Sequence, residues 1–291
     1  MAADQGVTVA APTAAHKSLP VRRRAALAIL LVPPLAWLVI AYLGSLAVLL
    51  VSAFWSKNEF TGAVVRTFTL DNVTRLFTDD LYLAVTRRTV GVALTVTVCC
   101  IVLAVPLALF MAKVASPRMR LALVVAVTTP LWASYLVKAY AWRMLLSPEG
   151  PLAWGTGYTP GYGLTATIIT LTYLWLPYMV IPVFAAFERV PDSLVDASAD
   201  LGASDASTMR MILAPLVFPG IAAGSIFTFS LSLGDYIAVQ IVGGTNQLIG
   251  NLIYEKLSNN QPLAAALSLI PLTAIVLYMF AMRRTGALEN V

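Results

Sequence analysis

Six long apolar runs constrain this chain more than any other feature. They span roughly 25–54, 89–112, 121–146, 164–187, 216–242 and 263–282. A helix needs about 20 apolar residues to cross the hydrocarbon of a bilayer. Every run meets that length. The reading is therefore an all-α polytopic membrane protein with six transmembrane helices. Composition agrees: 59% of residues are hydrophobic and 11% charged, against about 25% charged in soluble domains.

The pieces between the runs give the organisation. Residues 1–24 read as a largely disordered N-terminal tail and 25–56 as the first transmembrane helix. Residues 57–88 form a polar external linker in which Leu70 to Phe77 reads as a short amphipathic helix capped by Asp71. Residues 89–284 form the remaining core, and 285–291 a C-terminal tail. Arg22, Arg23 and Arg24 precede the first run, which is about twice the length of a signal-peptide core and is read as retained. Pro106, Pro130, Pro177, Pro182 and Pro219 lie within the runs. Such kinks are tolerated where neighbouring helices satisfy the freed carbonyls, so these helices are expected to pack together.

Lys and Arg in short loops set orientation. Arg22–Arg24, Lys113, Arg118, Arg120, Arg189, Arg210, Arg283 and Arg284 fall on one side. The 147–163 loop has no Lys or Arg, and the 243–262 loop has only Lys256. Both termini are expected in the cytoplasm. Lys57, Arg66, Arg75, Arg87 and Arg88 run against the rule, accompanied by Glu59, Asp71, Asp79 and Asp80.

Several classes fall away. No Gly-x-x-x-x-Gly-Lys-Ser/Thr loop occurs, so the chain itself is no ATPase. The single His, His16, lies in the N-terminal tail, and Cys99 and Cys100 are adjacent in an apolar run. No metal site, cofactor site or catalytic set is expected. A net charge of +5 without basic stretches interleaved with aromatics does not suggest nucleic acid.

The segment 191–215 is polar and sits between the fourth and fifth runs. Pro191 suits a helix start with Asp192 or Ser193 as cap. Asp192, Asp196 and Asp200 share one helical face. Gly202 suits a left-handed helix end, and Ser204 the next cap. A second helix runs to about Leu213 and ends before Pro215. A solvated helical connector would satisfy this pattern equally.

The spacing of Asp196-Ala197-Ser198-Ala199-Asp200-Leu201-Gly202 to Ile212 and Pro215 resembles the "EAA" loop of ABC importer permeases. Asp196 replaces the family's Glu, Ser198 its second Ala, and Ala214 its Leu. The resemblance implies that Asp196, Ala197, Ala199, Leu201, Gly202 and Ala203 contact a separate ATPase and carry its movement to the membrane helices. It also implies two ATPase subunits that bind ATP and Mg, a second and different permease, and an extracytoplasmic solute-binding protein. The implied location is the bacterial inner membrane.

A narrower resemblance concerns solute. Pro130-Leu131-Trp132-Ala133-Ser134-Tyr135-Leu136-Val137-Lys138-Ala139-Tyr140-Ala141-Trp142 and Leu233-Gly234-Asp235-Tyr236 are similar to spermidine/putrescine-type permeases. Importers of ferric iron, sulfate and other small solutes share parts of this pattern. Asp235 is the sole acid within the apolar runs, which makes it a functional candidate. About 30 Å of helix beyond Pro215, it falls near the outer boundary, at the height of Lys138. An Asp235–Lys138 ion pair fixing helix packing is the alternative. Trp132, Tyr135 and Tyr236 are candidate path residues through their ammonium-binding faces. Tyr140, Trp142, Trp175 and Tyr178 complete an aromatic set that an interfacial belt would also explain. Glu149 reads as an outer acid that meets a cation or simply faces water, and Arg143 is expected to snorkel outward. The expected function is half of an ATP-driven translocation path, for polyamines or another small solute. The rival is a secondary transporter, whose usual signature is internal repeats and intramembrane ion-coupling residues.

Overall fold

The second apolar run continues through Arg87 and Arg88 as one helix, which sets the frame for the rest. The computed structural model describes residues 21–58 and 60–284, with side chains from residue 29 onward. The expectations for the terminal tails, His16 and Glu59 lie outside the described residues. The chain divides into two units, residues 1–49 and 50–291.

The first unit is helical from its first described residue. α1 (Val21–Trp37) passes through a π-helical stretch, Leu38–Leu43, into α2 (Gly44–Ser52). Arg22–Arg24 therefore belong to helix rather than tail, as three consecutive good helix formers allow. Helix ends at Ser52, short of the expected 54 to 56, because the chain turns at Ala53 and Phe54 into a strand.

The second unit opens with a two-stranded antiparallel hairpin, β1 (Ser56–Lys57) and β2 (Val64–Val65). α3 (Asp71–Thr78) is the expected amphipathic helix, but Asp71 is not its cap. Asp71 lies in the first turn, and its N–H donates to Thr69 Oγ1 at 3.2 Å. Asp79 instead caps α4 (Asp80–Leu109), accepting from Leu81 N–H at 2.9 Å. The second span thus starts nine residues before the expected 89. A charged first turn is cheap where a helix projects beyond the hydrocarbon, and there hydropathy gives no sign of helix.

A π turn at Phe110–Val114 ends this span. α5 (Pro117–Trp132) and α6 (Tyr135–Leu145) meet at 100°. The third run is therefore a broken span, not the straight helix expected over 121–146. Pro130 lacks the N–H for the helical ladder, and Ala133 is extended with its N–H on Pro130 O at 3.3 Å. Lys138 Nζ also donates to Pro130 O at 2.9 Å, closing the break.

α7 (Pro151–Thr156) is a short helix, and α8 (Leu164–Glu188) is the fourth span. α9 (Asp192–Asp200) and α10 (Asp205–Thr208) form the hairpin. α10 does not stop before Pro215. A π turn, Met209–Leu213, joins it to α11 (Ala214–Gly234). Ala214 N–H bonds to Met209 O, five residues back, so the ladder has already shifted where the proline enters. The fifth span breaks at Asp235 and Tyr236, not at 242, and α12 (Ile237–Val242) follows as a separate short helix. α13 (Ile249–Asn259) and the last span, α14 (Gln261–Arg284), complete the chain. Among the described residues, five helices are long and apolar enough to cross a membrane, and six if the bent α5–α6 pair counts as one.

The centre of this unit is the packing of α4, α8 and α11. Val96, Cys100, Ala104, Leu171, Met179, Val183 and Val217 are buried there. Lipid offers no hydrophobic drive between helices, so close approach through small residues matters. Gly220 and Gly224 supply it: a Cβ on Gly220 would lie 2.5 Å from Ala186 Cβ and 2.7 Å from Pro182 O. Hydroxyls in the spans return to carbonyls four residues back, as Thr97 to Ala93 O (2.7 Å) and Thr228 to Gly224 O (2.7 Å). Phe229 stacks on Tyr278 at 4.3 Å and anchors α14.

Candidate functional site

Two regions collect the chemistry: the α9–α10 hairpin and the break between α11 and α12. In the hairpin, Pro191 occupies the cap position and neither Asp192 nor Ser193 caps α9. The Asp192 carboxylate is drawn away to Lys113, whose Nζ is 2.6 Å from Asp192 Oδ1 and 2.6 Å from Val190 O. That hydrogen bond and the ammonium charge hold the Asp192 carboxyl below its ordinary value, with Arg120 adding to the effect. Arg120 donates to Glu188 at 3.2 Å and to the carbonyls of Met111 and Ala112, tying the foot of α5 to α8 and α4.

The turn follows its chemistry closely. Gly202 has φ +78°, in the left-handed region where a side chain is disfavoured. Gly202 N–H reaches Ala199 O at 2.9 Å and Ala203 N–H reaches Ser198 O at 3.1 Å, satisfying carbonyls at the end of α9. Ser204 Oγ accepts from Ser207 N–H at 3.3 Å and starts α10. Ser198 Oγ lies 2.7 Å from Thr208 Oγ1 in a buried contact that ties α9 to α10. In the sequence Ser198 stands out only as a departure from the motif; the signal for this contact is a hydroxyl on each of two facing helices. Asp196, Ala197, Ala199 and Gly202 are exposed and Ala203 is half-buried. Leu201 is 89% exposed at the tip. Among the described residues, Asp196 and Asp200 have no ion-pair partner. The hairpin therefore presents an apolar tip with free carboxylates beside it, rigidly joined to α11 and tied to α4 through Lys113.

The second region lies where two broken spans meet. Asp235 is 7% exposed. Its Oδ1 accepts from Ala238 N–H at 3.0 Å in the first turn of α12, and its Oδ2 accepts from the Tyr135 hydroxyl. The expected alternative, an ion pair with Lys138, is absent because Lys138 is committed to Pro130 O across the α5–α6 break. The straight-helix rise used to place Lys138 beside Asp235 fails at that break. Tyr135, Trp175, Asp235 and Tyr236 line a cavity of about 320 Å³. Tyr135 and Trp175 rings lie 6.1 Å apart, and Trp175 and Tyr178 rings 5.9 Å apart. Trp175 Nε1 is buried and has no hydrogen-bond partner.

Two candidates are not brought here. Trp132 ends α5 and is 90% exposed, and Glu149 sits in an exposed turn before α7; neither lines the cavity. Arg143 is exposed and also tethered. It donates to Ile241 O and its guanidinium lies 4.6 Å from the Tyr162 ring centre, which holds the C-terminal end of α12 against α6.

Comparison with known proteins assigns the architecture. Residues 102–286 match the family described as binding-protein-dependent transport system inner membrane component. The chain is 42% identical to the inner membrane ABC transporter permease protein YdcU of Escherichia coli K12, covering 90% of each chain. It is 32% identical to the spermidine/putrescine transport system permease protein PotB of the same organism, covering 90% of this chain and 98% of that one. Among solved structures, a bacterial ABC transporter involved in the import of alginate shares the fold at TM-score 0.64 and 18% identity, over 91% of this chain and 97% of that one. The MetNI methionine ABC transporter does so at TM-score 0.57 and 18% identity, over 70% and 93%. With its broken spans, its hairpin and these relatives, the chain belongs to the binding-protein-dependent inner membrane transport components and is a permease subunit of an ABC importer.

Proposed function

We propose that this chain forms half of a polyamine path of the spermidine/putrescine type, coupled to two ATPase subunits through the 191–215 hairpin. A second, different permease supplies the other half, and an extracytoplasmic binding protein delivers the solute. The ATPase subunits bind ATP and Mg. Both termini and the hairpin face the cytoplasm, in keeping with the Lys and Arg distribution. Exposed Leu201 seats in an apolar groove of the ATPase, and Asp196 meets a basic side chain there. ATP closes the ATPase pair because it binds the closed arrangement more tightly, and only that difference can move the hairpin.

Asp235 carries the substrate reading. It is a buried carboxylate on a cavity wall, among aromatic faces, with no Lys or Arg paired to it among the described residues. A carboxylate inside a membrane protein is costly unless partnered. An ammonium from the solute supplies the missing charge, and aromatic faces add roughly 0.5–2 kcal/mol each. Thirty-two per cent identity to a spermidine/putrescine permease over nearly its whole length supports the same solute class.

The test is uptake of labelled spermidine and putrescine into proteoliposomes holding the complete complex and its binding protein, with and without ATP. Asp235→Asn should abolish uptake while the complex still assembles. ATP-driven complexes that ignore polyamines would discard the substrate. Uptake that persists without ATP would discard the coupling.

A further inference from the structure

At the hairpin end of the bundle, α8 and α11 leave a groove of about 530 Å³ between them. The two helices touch at Gly220, where a Cβ would lie 2.5 Å from Ala186 Cβ. Around that contact the walls are mostly alanine and proline, too short to fill the space beside the helices. Ala185, Val190, Leu194, Leu216 and Pro219 are among them. Arg189 is the only charged residue on these walls among the described residues. The groove shares no wall with the Asp235 cavity.

Arg189 is the C-cap residue of α8, so it stands where the fourth span gives way to the polar hairpin. The acids next to it in the chain are already engaged: Glu188 accepts from Arg120 at 3.2 Å, and Asp192 from Lys113 at 2.6 Å. Arg189 is exposed and has no ion-pair partner among the described residues. Its guanidinium stays charged and carries five donors in a planar fork, a shape that pairs bidentately with phosphate. The walls beside it have a different complement. Lipid tails are as apolar as leucine, so a bilayer fills such a groove with acyl chain.

We infer that the α8–α11 groove is a binding site for an anionic phospholipid, with the phosphate on Arg189 and an acyl chain along Ala185, Leu216 and Pro219. One molecule then meets both features. A soluble anion leaves the apolar walls unmatched, and a bare hydrocarbon leaves the guanidinium unmatched. Basic pockets between membrane helices bind anionic head groups in this way. Seven residues separate Arg189 from Pro182 at the far end of the α8 wall, about 10 Å of helix. The first part of the chain therefore lies on protein and the rest in the bilayer. Val190 precedes α9 and Leu194 lies in its first turn, so the bound lipid touches the hairpin as well as both spans.

The experiment is photo-crosslinking of the assembled importer complex in phosphatidylcholine nanodiscs. Each nanodisc carries a trace of a diazirine-bearing probe, either phosphatidylglycerol or phosphatidylcholine, and labelled peptides are mapped by mass spectrometry. Peptides covering 182–194 and 215–223 should take the phosphatidylglycerol probe about fivefold more, the effect of one basic residue on an anionic lipid. Arg189→Gln should bring that labelling down to the phosphatidylcholine level, and Arg189→Lys should keep most of the preference. Ala185→Phe, which fills the groove from an exposed position, should reduce labelling by both probes. Excess glycerol phosphate should not displace the probe, because it brings no chain for the walls. Equal labelling of the wild type by both probes, or a preference that survives Arg189→Gln, would overturn the site. Displacement by glycerol phosphate would make it a site for a free anion and overturn the lipid. Peptides that neither probe reaches, crosslinked instead to the second permease, would make the groove a subunit interface and overturn it as well.

Discussion

Lys113 Nζ lies 2.6 Å from Asp192 Oδ1, so one ammonium joins the end of the second span to the first turn of the hairpin. The same ammonium bonds Val190 O just before Pro191. The hairpin thus has three attachments to the membrane helices: the three-residue link from α8, the continuous helix into α11, and this tie to the end of the second span. A push on the tip is then felt by the second span as well as by the fourth and fifth.

Lys113→Gln should loosen the α9 side without unfolding the bundle. Hydrogen exchange in residues 190–200 should accelerate, and solute moved per ATP should fall. The pH dependence has a definite sign. Lys113 lowers the Asp192 pKa in the folded state, so the tie contributes fully above the ordinary carboxylate value. It is lost only as pH falls through the lowered one. Between about pH 5 and 8 the intrinsic protection of the hairpin should stay constant, and Asp192→Asn should remove that protection at every pH in the range.

Gly202 and Leu201 separate turn geometry from docking. Nothing lies within 4 Å of a Cβ built on Gly202, so Gly202→Ala pays only for its φ of +78°. That strain is about 1–2 kcal/mol for an ordinary residue and less for Asn. Gly202→Asn should therefore keep more hairpin protection and more uptake than Gly202→Val. Leu201→Asp should leave thermal stability unchanged, because the side chain is already in solvent, yet abolish solute-stimulated ATP hydrolysis.

Gly220 tests the α8–α11 packing. Its missing Cβ would strike Ala186 Cβ and Pro182 O, neither of which is the end of a flexible chain. Gly220→Val should cost about 1–3 kcal/mol or more of stability and lower the thermal midpoint of the purified complex. Gly224→Ala should be milder, since the closest atom there is Met179 Sδ at 2.7 Å, on a side chain that can turn, and the fixed neighbours, Met179 Cα and Pro182 Cγ, stand back at 3.1 Å.

Much of this architecture is legible in the sequence. Run lengths give the spans, and Gly202 and Ser204 give the hairpin turn, because both signals are local. The breaks are not legible in the same way. Pro130 is compatible with a mild kink, and the 100° turn becomes explicable only with Lys138 folded back on Pro130 O. Arg87 and Arg88 hide the start of α4 because hydropathy stops at charges while helix does not; Asp79 was the local cap signal. Pro215 reads as a stop, yet the π turn before it carries the helix through. The Tyr135–Asp235 contact joins residues 100 positions apart and depends on both breaks at once. The stack of Tyr236 on Tyr254 likewise needs α13 in place.

Asp235 has two jobs that substitutions can divide. Oδ1 holds the first turn of α12 through Ala238 N–H, and Oδ2 accepts from Tyr135. An Asn side chain keeps an oxygen for Ala238 but loses the charge. Asp235→Asn should therefore preserve thermal stability to within about 1 kcal/mol, the worth of a neutral hydrogen bond, while ending polyamine uptake. Asp235→Ala should lose uptake and also about 1 kcal/mol or more through the released helix start. Tyr135→Phe leaves the charge and removes its donor, and an acceptor left unsatisfied in this way costs about 1–3 kcal/mol. That variant should be less stable without solute and should regain the difference when a polyamine ammonium takes the donor's place. Thermal midpoints of the three complexes, measured with and without spermidine, decide the matter. Spermidine stabilising Tyr135→Phe more than wild type, and Asp235→Asn not at all, is the expected result. Equal stabilisation of all three would remove Asp235 from the path and leave it as the residue that joins two broken spans.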